Sequence, residues 1–194
     1  MAEINTNTNQ RNELHRAIWN IANDLRGAVD GWDFKQYVLG MLFYRYISEN
    51  LSDYVNETQQ KAGFKDFSYA SQTDAYAENA RQQMVKTKGF FILPSELFEN
   101  VRRNAPTDPN LNTTLYNVFK NIETSSIGSE SEQNFKGLFE DMDVNSNKLG
   151  NGVLERNKRL VNLMNGIGEM KLGTYKENHI DAFGDAYEFL MTMY

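Results

Sequence analysis

Apolar residues recur along this chain at helical rather than alternating spacing over most of its length, which predicts an all-α bundle forming one domain. Over residues 11–29, Leu14, Ile18, Ile21 and Leu25 fall at i, i+4, i+7 and i+11 on one face, and Gly27 frays the end. Residues 1–10 are polar and read as a flexible N-terminus. Asp33, in Asp30-Gly31-Trp32-Asp33, is the expected N-cap of a second helix that runs apolar nearly all round from Phe34 to Tyr44, before Arg45. A helix without a wet face belongs at the centre of a bundle, so residues 37–47 should be the most buried element, with Gly40 admitting a close neighbour.

From 61 to 73 the pattern breaks into polar and aromatic residues, and one short extended or hairpin segment is expected near 64–93. A helix over 74–86 leads into Lys88-Gly89-Phe90-Phe91-Ile92-Leu93-Pro94, whose proline forces Leu93 out of the helical region. Ser95 is expected to cap a helix through Asn104. The stretch 110–124 places Leu111, Leu115, Val118, Phe119 and Ile122 on one face; 151–167 does the same with Val153, Leu160, Met164 and Ile167, closed by Gly166 and Gly168. A last helix over 178–194 gathers Ile180, Phe183, Tyr187, Leu190, Met191 and Tyr194. It ends with neither glycine cap nor basic last turn, the look of a chain that is cut rather than finished.

Composition narrows the chemistry. With 194 residues, about 70% of the unfolded surface is buried on folding, so no disulfide or structural metal is needed. Absence of Cys excludes thiolate zinc sites, iron–sulfur clusters and Cys nucleophiles. The longest apolar run, 37–44, falls far short of the roughly 20 residues of a bilayer span, and 1–10 is unlike a signal peptide; a soluble, cytoplasmic protein without membrane partners is expected. Net charge is −6, which argues against a generic polyanion binder, yet the charge is unevenly spread: −3 over 1–60, +1 over 61–128 and −4 over 129–194. Arg81, Lys86, Lys88, Arg102 and Arg103, against Glu96 and Glu99, are the candidate phosphate contacts. An ordinary solvated surface is the alternative. Arg156, Lys158 and Arg159 form a second cluster among acids.

Other motifs carry less. Asp141-Met142-Asp143-Val144-Asn145-Ser146-Asn147 alternates oxygen ligands like a calcium loop, but Lys148 or Ser146 stands where glycine is needed and Leu154 or Gly152 at the twelfth position, so it reads as an Asn/Asp-rich turn. Gly166-Ile167-Gly168 follows a helix and has Lys171 at the third glycine position, unlike a dinucleotide fingerprint. His15 and His179 lie on separate expected helices with no catalytic partner implied, and Tyr37, Phe43, Tyr44 and Tyr46 read as core. No catalytic, cofactor-binding or metal-binding residue is assigned.

Two long stretches carry a resemblance: Glu13-Leu14-His15-Arg16-Ala17-Ile18-Trp19-Asn20-Ile21-Ala22-Asn23-Asp24-Leu25-Arg26-Gly27 and Gly31-Trp32-Asp33-Phe34-Lys35-Gln36-Tyr37-Val38-Leu39-Gly40-Met41-Leu42-Phe43-Tyr44-Arg45-Tyr46-Ile47-Ser48. With Lys86-Thr87-Lys88-Gly89-Phe90-Phe91-Ile92-Leu93-Pro94-Ser95, Lys136-Gly137-Leu138-Phe139, Ser146-Asn147-Lys148-Leu149-Gly150 and Phe183-Gly184-Asp185-Ala186-Tyr187-Glu188-Phe189-Leu190, they resemble, in order, the N-terminal helical domain of the modification subunit of type I restriction–modification systems. The resemblance implies a parent that methylates adenine N6 in DNA with S-adenosylmethionine, two copies joining one specificity subunit and, in the larger enzyme, a restriction subunit. It further implies that the glycine-rich cofactor turn and the Asn-Pro-Pro-aromatic motif lie downstream, since no two prolines are adjacent here. The 194 residues are therefore expected to be inactive alone, to bind no cofactor, and to help enclose DNA and assemble with the specificity subunit. A module that only holds other proteins is the rival expectation; a free-standing helical enzyme would need a converging titratable set, of which the sequence gives no sign.

Overall fold

In a computed structural model the described residues are 2–25 and 31–171, with Glu188, Phe189 and Thr192. The helices are α1 (Ala2–Leu25), α2 (Gly31–Lys61), α3 (Asp74–Glu78), α4 (Arg81–Lys88), α5 (Phe98–Asn104), α6 (Leu111–Ser125), α7 (Glu132–Phe135) and α8 (Val153–Glu169), with single 3-10 turns at Tyr69–Ser71, Pro94–Glu96, Ala105–Thr107 and Asn147–Leu149. The fold is all-α, and no strand occurs among the described residues. No helix among them is long and apolar enough to cross a membrane.

Two helices organise the rest. α8 packs on α1, α2, α5 and α6, and α2 on α1, α5 and α8. As the all-round apolar pattern requires, α2 buries Phe34, Tyr37, Val38, Met41, Leu42, Tyr44, Ile47, Leu51 and Val55. Buried from the other faces are Leu14, Ile18 and Ile21 of α1, the five apolar residues expected of α6, and Leu160, Met164 and Ile167 of α8. Val153 departs from this: at the first turn of α8 it is exposed, as is Leu154.

Tyrosine hydroxyls fasten the irregular segments to this core. Tyr37 donates to the Asp143 carbonyl at 2.6 Å, Tyr44 to the Glu96 carbonyl at 2.5 Å and Tyr69 to the Ile92 carbonyl at 2.7 Å. Each phenol thereby satisfies its own hydroxyl and a carbonyl outside helical hydrogen bonding. Burial raises all three above the ordinary phenol range, Tyr37 to about 12. Tyr44 also sits edge-on between Phe98 and Phe119, with centroids 5.5 and 5.4 Å away.

Several local expectations are corrected. α1 begins at Ala2 rather than Arg11, so the stretch read as a flexible N-terminus continues into the helix. Asp33 is not an N-cap; α2 starts at Gly31 and Asp33 lies in its first turn, bonded to Lys148 Nζ at 2.8 Å. Of the extended or hairpin segment expected near 64–93, the extended alternative is the one found: residues 90–93 are neither helix nor strand, and Phe91 N–H finds the Ser125 hydroxyl at 2.9 Å instead of a strand partner. The helix expected over 74–86 divides into α3 and α4. Ser95 caps nothing: its N–H and hydroxyl bond Asp74 at 2.9 and 2.6 Å, while Phe98 N–H at the start of α5 is met by Ser48 of α2 at 3.2 Å. The aspartate-rich turn engages its own side chains, Asp143 accepting from Asn145 N–H at 2.9 Å and Asn145 from Asn112 at 2.6 Å. Gly27, His179 and the helix expected over 178–194 lie outside the described residues, apart from Glu188, Phe189 and Thr192, which are helical.

Close approach explains two glycines that the chain pattern treats differently. A Cβ at Gly40 would stand 2.8 Å from Met142 Sδ, as a permissive contact requires. Gly166 does not close α8 but lies within it, where a Cβ would be 2.9 Å from Ile21 Cδ1 and closer still to Cγ1. Alanine gains roughly 1 kcal/mol of helix propensity over glycine, but overpacking a buried, β-branched neighbour costs about 1–3 kcal/mol. Gly166→Ala should therefore lower stability by up to about 2 kcal/mol in urea unfolding, and combining it with Ile21→Val should recover part of the loss; a net gain would mean that α1 can move away.

Candidate nucleic-acid interface

The five cations expected to meet phosphate do not form one surface. Arg81, Lys86 and Lys88 line a cleft of about 680 Å³ between α4 and the loop 128–131, together with Gln82, Gly89 and Ser131. Arg102 and Arg103 line another of about 550 Å³ at the junction of α2, α5 and α8, with Arg45, Glu49, Phe98 and Asn165. The two share no lining residue.

Within each cleft the cations differ in how far they are committed. Arg81 is held by Glu78, with Nε and Nη2 to the carboxylate at 2.5 and 2.9 Å, and lies 4.4 Å over the Phe91 ring. That hydrogen bond raises the guanidinium pKa and lowers that of Glu78. Lys88 rests 5.2 Å over the Tyr54 ring, and among the described residues neither Lys88 nor Lys86 has an ion-pair partner. In the second cleft Arg102 spends Nε on Asn165 at 3.2 Å, with Glu169 at 3.7 Å, and its guanidinium fills the space beside Gly168. Arg103 is left without an acid among the described residues. Gly168, expected to close α8, is thus the place where α5 leans on that helix.

Arg45 is the residue that the chain pattern misses. From the middle of α2 it donates Nη1 to the carbonyls of Ile167 and Met170, at 2.7 and 2.9 Å, and Nε to Glu49 at 2.6 Å. It is a C-cap for α8 delivered from another helix, a cation at the negative end of the macrodipole. The available signal was a lone arginine between Tyr44 and Tyr46 in an otherwise buried stretch. Two members of the second basic cluster are structural in the same way: Arg159 donates to the Leu149 carbonyl at 2.6 Å and to Glu155 at 2.7 Å, and Arg156 to the Gly150 carbonyl at 3.3 Å, whereas Lys158 is exposed. His15 stacks on Phe189, centroids 3.9 Å apart, as a core-edge aromatic.

One carboxylate that lines neither cleft is shifted by its setting. Glu96 accepts from Asn121 at 2.5 Å and from Leu93 N–H at 3.4 Å, yet burial raises its pKa. Among the described residues no group of three His, Cys, Asp or Glu is arranged to hold a metal ion. Gly166 and Gly168 have no room for a cofactor, being packed against Ile21 and Arg102.

Residues 14–167 match the family model described as HsdM N-terminal domain. The chain is 46% identical to the type I restriction enzyme MpnII methylase subunit of Mycoplasma pneumoniae, over 96% of this chain and 36% of that protein. Its fold superposes, with a TM-score of 0.74 and 26% identity, on the type I restriction-modification system methyltransferase subunit from Streptococcus thermophilus, covering 94% of this chain and 38% of that one. The chain thus spans little more than a third of either relative.

Two outcomes follow from the geometry. Arg45→Lys keeps the charge but loses the forked reach to two carbonyls and Glu49, and should cost about 2 kcal/mol in urea unfolding. For Glu96 the folded pKa is raised, so over the interval above the ordinary carboxylate range the native state holds a proton that the unfolded chain has released, and stability falls as pH rises through it. Glu96→Gln removes this term: the stability difference, variant minus wild type, should grow from the acid side toward neutral pH, and a flat difference would show that Glu96 titrates normally.

Proposed function

Because the chain belongs to the HsdM N-terminal domain family, we propose that it is the amino-terminal helical module of the modification subunit of a type I restriction–modification enzyme. The parent subunit carries out S-adenosylmethionine-dependent adenine-N6 methylation of DNA. The module is inactive by itself: the residues here do not fit the cofactor, since the paired glycines at 166 and 168 are filled by Ile21 and Arg102 rather than left open as a cradle. Its work is mechanical. It helps enclose the duplex while the target base is out of the stack, and it joins the specificity subunit, the second modification subunit and the restriction subunit of the larger assembly.

The observation that carries this reading is the family match over 14–167 combined with the cations that no acid neutralises among the described residues of an acidic chain, Lys86, Lys88 and Arg103. Phosphate contacts of this kind position a protein without reading sequence. Photo-crosslinkers placed at positions 86 and 103 of the assembled methyltransferase should capture DNA. Capture of the specificity subunit alone at both positions would reject DNA enclosure in favour of a pure assembly module.

A further inference from the structure

We propose that the cleft between α4 and the loop 128–131 is a preformed seat for one backbone phosphate of duplex DNA, with Lys86 and Lys88 supplying the charge and Ser131 the neutral hydrogen bond. The inference deepens the DNA-enclosing reading given above and rests on it.

The two walls of the cleft are locked together before any ligand arrives. Gly89, at φ 84°, ends α4 in the left-handed region, and a Cβ there would overlap the Ser131 side chain, so the helix end and the loop are in direct contact. The Ser129 hydroxyl donates to the Gly89 carbonyl at 3.0 Å and accepts from Ser131 N–H at 3.1 Å. Behind them, Phe90 packs on Phe135 with centroids 4.9 Å apart, and Phe91 N–H bonds Ser125 at 2.9 Å. A cleft held this way pays little ordering entropy on binding.

What lines it suits an anion. Lys86 and Lys88 have no carboxylate partner among the described residues, and the Ser131 hydroxyl has no hydrogen bond of its own there. Arg81 adds a third positive charge at the rim, although Glu78 engages it. Against these stand Glu130 and the roughly half negative charge of the α4 C-terminus. Glu132, the other nearby acid, is turned to Gly128 N–H at 2.8 Å. The balance stays positive, in a space of about 680 Å³ that admits a phosphate together with its flanking sugars.

A phosphodiester seat makes a specific demand on the salt dependence of the assembled methyltransferase. Lys86→Ala combined with Lys88→Ala should reduce the slope of log K against log[salt] by about 0.9, the value for one phosphate, equally on specific and nonspecific duplexes. Glu130→Gln should instead raise affinity. A methylphosphonate scan of the duplex should find one position whose neutralisation weakens the wild type but not the double lysine variant. An unchanged slope in that variant, while Arg103→Ala still lowers it, would overturn the seat and leave DNA enclosure standing; unchanged slopes for both, with crosslinks only to protein, would overturn both. Weakening by inorganic phosphate at matched ionic strength that depends on the lysines, without a sensitive duplex position, would mark a seat for free phosphate and overturn the assignment to DNA.

Discussion

The last turn of α8 is where the bundle is tied. Here the regular ladder runs out: the Ile167 carbonyl accepts the Met170 N–H at 3.3 Å, and a buried carbonyl left short of donors costs roughly 1–3 kcal/mol. Arg45 supplies the donors from α2, Ile21 of α1 presses on Gly166, and the Arg102 guanidinium of α5 lies on Gly168. Three helices therefore meet one turn through contacts that exclude larger side chains. The order of α1, α2 and α5 around α8, and with it the cleft lined by Arg102 and Arg103, depends on this turn remaining intact.

The same logic separates structural from available charge. Arginine is well suited to span two acceptors at once, and Arg45, Arg81, Arg102 and Arg159 are engaged by acceptors within the fold. Among the described residues, no acceptor engages Lys86 or Lys88. The division means that deleting Arg45, Arg81, Arg102 or Arg159 removes contacts within the fold, whereas deleting Lys86 or Lys88 alters the surface. Net charge hides this: an acidic protein retains a local positive field wherever its cations are left unneutralised.

Long irregular segments are affordable here because aromatic side chains hold them. The stretch between α6 and α8 contains only α7 and one 3-10 turn, yet Phe135, Phe139, Met142, Val144 and Leu149 are buried. Phe139 stacks on Phe119 with centroids 4.3 Å apart, and Tyr37 anchors the Asp143 carbonyl. The tyrosines of α2 thus act as core and as tethers together, holding segments that are far from regular against the helices.

Periodicity is a local property, and it determined the helices that rest on local pattern: the all-α class, the buried faces of α1, α6 and most of α8, the centrality of α2 and the close approach at Gly40. Composition likewise excluded thiol chemistry, and the long motif stretches indicated the family. What the pattern misplaced were boundaries and roles settled by residues distant in the chain. Ser95 turned to Asp74 and left the start of α5 to Ser48; Gly166 and Gly168 became contact points because α1 and α5 arrive there; Arg45 met carbonyls 122 and 125 residues away. The five cations read as one run were divided between two clefts for the same reason, since a side chain's partners are chosen by the helices that packing brings beside it and not by its neighbours in sequence.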